Sequence, residues 1–375
     1  MSSSFKGFRG LCGLALAAAI ALSTTGCSTP VVSSTPTPVA FKACMVSSRE
    51  GFDDSGVNAA AYFGLLQSEA QYGPRTSVVQ VSANAGIDEF SGAISKLIDR
   101  NCNLVFGVGQ QLVAPIRMAA TGHPSVNFAL VDAVLTDSKG SELQLNNVQN
   151  LEFDATQAAF LAGYLAASQS NGSPVGVVAG AKSQANFKQV WAFQQGVRYF
   201  DAKHFKNTVV IGAMGENISS WNFAGNNPTT QSLTSRISGM IDAGASVIYP
   251  VGLPGHLVAN LVAAHSGELV IGSDSDWWAQ PGFAQVKSVV LASMVKKVSE
   301  SVVSAVGKAV AGNFVGGTGG NWLGTLETGD VALTVQHDIA YGAGVQGELD
   351  AIKTDLVNGR ILIPALPTGL VNATS

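Results

Sequence analysis

The chain has 375 residues, 46% of them hydrophobic and only 12% charged, which is enough apolar material for two cores under a surface dressed largely with uncharged polar side chains and glycine. Its 21 basic residues stand against 25 acidic ones, a formal net charge of −4. That balance leaves no electrostatic footprint for a phosphate backbone and argues against nucleic acid as a partner.

Residues 1–26 have the three-part layout of an export signal: Lys6 and Arg9, an apolar stretch over 11–22, then small residues ending at Gly26. The apolar stretch stops at Ser23, short of the roughly 20 residues that span a bilayer. Thr24-Thr25-Gly26-Cys27 resembles a bacterial lipobox, with Thr24 where such boxes prefer Leu. Cys27 is therefore expected to be the lipidation site that anchors the chain at the extracytoplasmic face of the cell membrane. The rest of 27–40 is an uncharged run of Ser, Thr, Pro and Val without hydrophobic period, which reads as a tether.

From residue 41 onward short apolar runs alternate with helical spacing, the pattern of a parallel sheet covered on both faces. Strands are expected over 41–46, 77–81, 104–108 and 127–131. A helix over 88–100 places Phe90, Ile94, Leu97 and Ile98 on one face, with Glu89, Lys96 and Asp99 outside. The cadence repeats in strands over 175–178, 208–211, 246–250 and 269–271, and Leu233, Ile237, Met240 and Ile241 repeat the helical spacing. Two such halves, joined near 147–153, predict an α/β protein of two doubly wound lobes with a cleft between them. Ligands of such sheets bind beyond the carboxyl ends of the strands, which directs attention to 47–58, 107–111, Asp132, 180–186, 252–256 and 274–278.

Of the four cysteines, Cys12 leaves with the signal and Cys27 is acylated, so the body keeps Cys44 and Cys102. If the first strand is flanked by the second and third, these two lie on or beside neighbouring strands. A disulfide between them would persist outside the cytoplasm, and two small buried apolar side chains are the other reading.

Chemistry-bearing motifs are sparse. His123, His204, His256, His265 and His337 show no spacing that puts two ligands on one face, so no metal site is expected. There is no nucleophile elbow and no phosphate-cradling loop, and Gly107-Val108-Gly109 lacks the third glycine of a dinucleotide fingerprint. Asp274-Ser275-Asp276 opens like a calcium loop, but Ala279 stands where that loop turns on glycine. Paired acids at a strand end could serve as acid and base; capping a helix or binding hydroxyls is their commoner use. No catalytic residue and no cofactor are expected, and the chain reads as a binder rather than an enzyme.

Six segments in order carry a resemblance: GFDDSGVN at 51–58, FALVD at 128–132, FLAGYLA at 160–166, VIYPVG at 247–252, IGSDSD at 271–276 and SMVK at 293–296. Together they resemble the basic membrane protein family, lipoproteins of ABC importers whose characterised members mostly bind nucleosides, and the likeness runs over 41–364. It implies the type I periplasmic-binding fold, two lobes joined by three crossings that close over a small-molecule ligand, with ABC permease and ATPase subunits as partners. In that fold lobe 1 would take 41–150, completed by part of about 277–320, and lobe 2 would take 151–276, completed by part of about 321–375.

Carried over by position, the resemblance gives Asp54, Asn58 and Asp132 roles at the base. It gives Asp274 the acceptance of hydrogen bonds from ribose hydroxyls and Lys296 their donation. A carboxylate beside an ammonium suits vicinal hydroxyls, because the first accepts and the second both donates and offsets charge. The family clamps the base between two aromatic rings, and one of those positions is Val57 here. Phe106, Trp221, Phe223, Trp277 and Trp278 are the rings that could take its place, with Trp221 and Phe223 in the segment of the family's second ring. Gly252, matching a glycine-rich family segment, would let backbone approach the ligand. Val57 also leaves room for another ligand, such as a sugar or signalling molecule, and a surface receptor without a transport role is the reading of a different class.

Overall fold

The computed structural model describes residues 39–367 apart from Met214, Glu216, Ile218, Ser219, Asn226, Asn227, Val335 and Gln336; the export signal, Cys27 and the tether up to residue 38 lie outside the described residues. In chain order the elements are β1 (Lys42–Val46), α1 (Val57–Tyr72), β2 (Arg75–Val79), α2 (Ile87–Asp99), β3 (Leu104–Val108), α3 (Val113–Gly122), β4 (Asn127–Val131), β5 (Val148–Phe153), α4 (Thr156–Gln169), β6 (Val175–Ala179) and α5 (Gln184–His204). There follow β7 (Val210–Ile211), α6 (Thr230–Asp242), β8 (Val247–Val251), α7 (Gly255–Ala263), β9 (Leu269–Gly272), β10 (Val290–Lys296), α8 (Val298–Val310), β11 (Trp322–Gly324), β12 (Val331–Leu333) and α9 (Val345–Val357).

The strands form two six-stranded sheets, ordered β11-β5-β4-β3-β1-β2 and β12-β10-β9-β8-β6-β7. Among the described residues every pairing between these strands is parallel except β10 with β12. Near-continuous Val, Leu, Ile and Ala in β3, β6 and β8 are buried on both faces, which is what parallel strands under two helical layers require. On α6 the face formed by Leu233, Ile237, Met240 and Ile241 is buried as its spacing implies. On α2 the buried set is Phe90, Ala93, Ile94 and Leu97, with Ile98 half-buried at its margin. The strand expected over 77–81 pairs at Arg75–Val79 instead, because the ladder with β1 opens where Arg75 N–H donates to the Phe41 carbonyl.

The chain crosses between the sheets three times, after β5, after β10 and between β11 and β12. Of the stretch 277–320, α8 packs on α1 beside the first sheet while β10 joins the second. Of 321–375, β11 extends the first sheet, whereas β12 and α9 belong with the second. β5 keeps its pairing with β4 up to Leu151 and with β11 up to Phe153, so the first sheet reaches three residues past 150.

Helix α4 is buried along its whole middle, Ala158 to Ala167, since it lies under the second sheet and against α5 and α9. The α4–α5 contact is made close by a reciprocal pair of glycines. A Cβ on Gly163 would sit 2.0 Å from the Phe193 carbonyl oxygen, and one on Gly196 would sit 1.9 Å from that of Phe160. Any larger residue forces the two backbones apart. In the first lobe Cys44, inside β1, is bonded to Cys102, just ahead of β3, across a Cα–Cα distance of 6.0 Å. Among the described residues no helix is long and apolar enough to cross a membrane.

Candidate functional site

The last residue of β10, Lys296, has a side chain only 5% exposed, and its Nζ lies 2.8 Å from Asp132 Oδ2 and 2.8 Å from Asp274 Oδ1. Asp274 follows β9 in the same sheet. Asp132 follows β4 in the other, so the ammonium joins the two lobes at the carboxyl ends of their strands. Both aspartates sit in the left-handed region, with φ of 54° and 68°, a conformation that non-glycine residues keep only where surrounding contacts impose it. Here the Asp132 N–H donates to the Leu151 carbonyl and the Lys296 N–H to the Asp274 carbonyl. Turning the chain this way aims both carboxylates at one point rather than along their strands.

Burial by itself would pull the Lys296 ammonium down, but Asp132 and Asp274 outweigh it and hold the group well above its ordinary range, so it is charged at neutral pH. Burial pushes the Asp132 carboxyl up, Lys296 opposes that push and Asp274 adds to it, with a net rise. Tyr249 on β8, also fully buried, is raised by burial and by the Asp274 charge and remains a neutral hydroxyl. The cluster can accept hydrogen bonds at two carboxylates and donate from an ammonium. Nothing in it is arranged as a nucleophile with a base.

Asp54 and Asn58 lie at the start of α1, and their polar atoms are engaged within the chain. The Asp54 carboxylate accepts from the N–H groups of Gly56, Asn58 and Ala59, at 2.8, 3.1 and 2.9 Å, and so caps the helix. The Asn58 amide donates to Ser48 Oγ at 2.7 Å and to Asp54 Oδ2 at 2.8 Å, and accepts from the Ser48 N–H at 2.8 Å. Ser48 stands two residues past β1, inside the strand-end stretch 47–58, and no motif marks it.

The rings weighed against Val57 fall in three places. Against the expectation of a stacking ring, Phe106 is wholly buried in β3, on the face of the first sheet packed with Met45, Ala61 and Leu65, and has no free surface. Trp221 and Phe223 lie at the carboxyl end of β6, where Phe223 bridges Ala179, and they pack with Phe187 and Trp191 of α5. Among the described residues the buried indole N–H of Trp221 has no hydrogen-bond partner. Trp277 is sealed against Phe283, its ring centroid 5.0 Å away. Trp278 stacks on His337 at 4.5 Å with the Lys287 ammonium 4.2 Å from its ring centroid. Val57 itself is half-buried.

Gly252 follows β8 with φ of 58°, and its carbonyl oxygen would be 2.3 Å from a Cβ on Gly180, just past β6, so the chain meets backbone to backbone beyond these two strands. Asp276, the second acid of its motif, accepts from the Trp278 and Ala279 N–H groups and lies 3.4 Å from His337 Nε2. Its role there is to brace a turn. Among the described residues no group of three His, Cys, Asp or Glu side chains is placed to hold a metal ion.

Two doubly wound lobes joined by three crossings, with a charged cluster shared between them, are the architecture of the type I periplasmic-binding fold. The chain belongs to the Bmp family of PnrA-like ABC transporter substrate-binding proteins, whose model matches residues 41–366. It is accordingly a binding protein and not an enzyme. The ABC transporter nucleoside-binding protein BmpA of Lactococcus lactis subsp. cremoris is 25% identical over 342 residues, covering 87% of this chain and 89% of that one. Basic membrane protein D of Borreliella burgdorferi is 25% identical over 319 residues, covering 84% and 85%. The crystal structure of an ABC transporter system solute-binding protein from Aeropyrum pernix matches with a TM-score of 0.70 at 17% identity, over 86% of this chain and 94% of that one. A transcriptional activator of the comK gene from Bacillus halodurans shares the fold at a TM-score of 0.63 and 20% identity, covering 87% and 100%. The fold alone therefore does not decide what is bound.

Proposed function

We propose that the chain is the lipid-anchored, extracytoplasmic receptor of an ABC importer and that it captures a nucleoside between its lobes. The observation that carries this reading is the meeting of Asp132, Asp274 and Lys296 from both sheets at 2.8 Å spacings. Asp274 accepts the two vicinal hydroxyl protons of a ribose, Lys296 donates to the same oxygens, and Asp132 accepts from the heterocycle on the other side. No proton need be transferred. Asp54 and Asn58, whose polar atoms already hold the start of α1, act by positioning that helix end. Closure of the lobes is what the permease senses before the ATPase drives uptake, and an acyl chain on Cys27 keeps the receptor at the membrane.

The test is a calorimetric titration of a nucleoside panel into residues 28–375, repeated with Asp274→Ala. Purine nucleosides are expected to give a saturable signal, and the substitution to cost about 2 kcal/mol, roughly thirtyfold in Kd, because it strands hydroxyls in a closed cleft. An isotherm unchanged in the variant removes the ribose assignment. The aliphatic Val57 favours a second reading, a sugar or other ligand that needs no clamp of two rings; binding from a sugar panel with silence from the nucleosides would select it. For the anchor, labelling with a palmitate analogue should mark the wild-type chain and not Cys27→Ser.

A further inference from the structure

Ser55, between the capping Asp54 and Gly56, holds a left-handed φ of 55°, and its carbonyl meets the opposite lobe. That oxygen accepts from Ser275 Oγ at 2.8 Å and from Gln280 Nε2 at 3.4 Å. Both donors stand on the segment after β9, in the second lobe, and neither is among the charged residues of the cleft. The segment is firmly based. Trp277 is buried, with its backbone N–H on Ser293 Oγ and its indole N–H on the Ser273 carbonyl. Trp278 is held between His337 and Lys287 and donates to Asp338 Oδ2 at 3.0 Å. A rigid arm that begins at the ligand-facing Asp274 thus ends on the backbone of the other lobe.

We propose that residues 273–280 form an interlobe latch, in which Ser275 and Gln280 grip the Ser55 carbonyl and hold the lobes together independently of the ligand. The latch adds to the interlobe hold of the Lys296–Asp132 ion pair and so lengthens the life of the closed form, while the charged cluster also sets what is enclosed. It accounts for the consecutive tryptophans and for Asp276, whose carboxylate braces the turn between the two donors. Because the gripped group is a backbone carbonyl, no substitution at Ser55 removes it, and the donors are the place to intervene.

The experiment compares residues 28–375 with Ser275→Ala, Gln280→Ala and the double variant in two measurements, with thermal melts to establish that each is folded. Small-angle scattering without added ligand reads lobe closure directly, and the double variant is expected to show a larger radius of gyration than wild type. Stopped-flow release of a purine nucleoside is expected to quicken about tenfold in the double variant with little change in association, as loss of hydrogen bonds formed after encounter requires. Gln280→Ala, at the longer bond, should do less than Ser275→Ala. Unchanged scattering overturns the latch, even where release quickens, since the serine would then be acting on the ligand. Only the release measurement rests on the nucleoside reading; if no nucleoside binds, scattering alone decides.

Discussion

Asp132 and Lys296 are 164 residues apart in sequence and belong to different sheets, yet carboxylate and ammonium meet at 2.8 Å with the lysine almost wholly enclosed. An enclosed ammonium flanked by two carboxylates is a geometric device more than a source of stability, because desolvation consumes most of the attraction. Removing one member is another matter. Lys296→Met would leave Asp132 and Asp274 facing each other without a counter-charge, and should destabilise the protein by about 3 kcal/mol or more. Urea denaturation at neutral pH checks this; a loss within 1 kcal/mol, measured to about that precision, would mean that the site admits water freely.

The pH dependence follows from the raised pKa of Asp132. Its ordinary value is 3.8, and the folded chain holds it higher, mainly through burial. Between 3.8 and the higher folded value the native state therefore binds more protons than the unfolded chain, so stability is present on the acid side and lost as pH rises through that window. Asp132→Asn carries no titrating group there. Wild type should accordingly lose ground to Asp132→Asn as pH climbs from 3.8 upward, measured as the difference in unfolding free energy, and a difference that moves the other way would show that Lys296 dominates the carboxyl.

The crossing of α4 on α5 gives a sharper stability prediction. Gly163→Ala puts a methyl 2.0 Å from the Phe193 carbonyl oxygen, so the helices must separate, at a cost of about 1 to 3 kcal/mol. Gly92→Ala on α2 is the control. A Cβ there meets nothing within 4 Å, and the change should leave the protein as stable or up to about 1 kcal/mol more so. Equal effects from the two would mean that the close approach is relieved at no cost.

The residues that made the fold legible in the sequence are those whose pattern is local. Leu233, Ile237, Met240 and Ile241 announce a helix because their spacing repeats its turn, and all four are buried. α4 announces nothing of the kind: apolar on every side, it has no polar face to set a period, and its place depends on Gly163 fitting a helix it meets only after β6. β11 and β12, three residues each, carry no periodic signal, and neither pairs with the strand before it: β11 returns to β5 and β12 to β10. At the site, Asp132, Asp274 and Lys296 could be read from strand ends and motif order. Ser48, Ser55 and Ser275 lie in strand-end stretches that the sequence singled out and Gln280 just beyond one, but their contacts could not be read, since they come from turns whose backbone angles no residue type dictates.

The Cys44–Cys102 bond joins two residues with a sequence separation of 58. Cys44 is central in β1, its backbone paired with Ser77 of β2 and Val105 of β3, so the bond fastens the middle of the first sheet to the turn that feeds β3. Closing a loop of that length lowers unfolded-chain entropy by an amount worth roughly 4 kcal/mol. The double substitution Cys44→Ala with Cys102→Ala should therefore lower unfolding free energy by about that much, with the small void left by two sulfurs adding to it. It should also raise the urea m-value, because the unlinked chain exposes more surface when it unfolds. Both cysteines are buried, so reductant should reach the wild-type bond only on unfolding. Wild type unfolded in reductant is expected to lose the loop-closure part of that stability and no more, and the double variant to be indifferent to reductant. A wild type whose denaturation curve ignores reductant, at the lower stability, would show that the two thiols are unbonded in the protein.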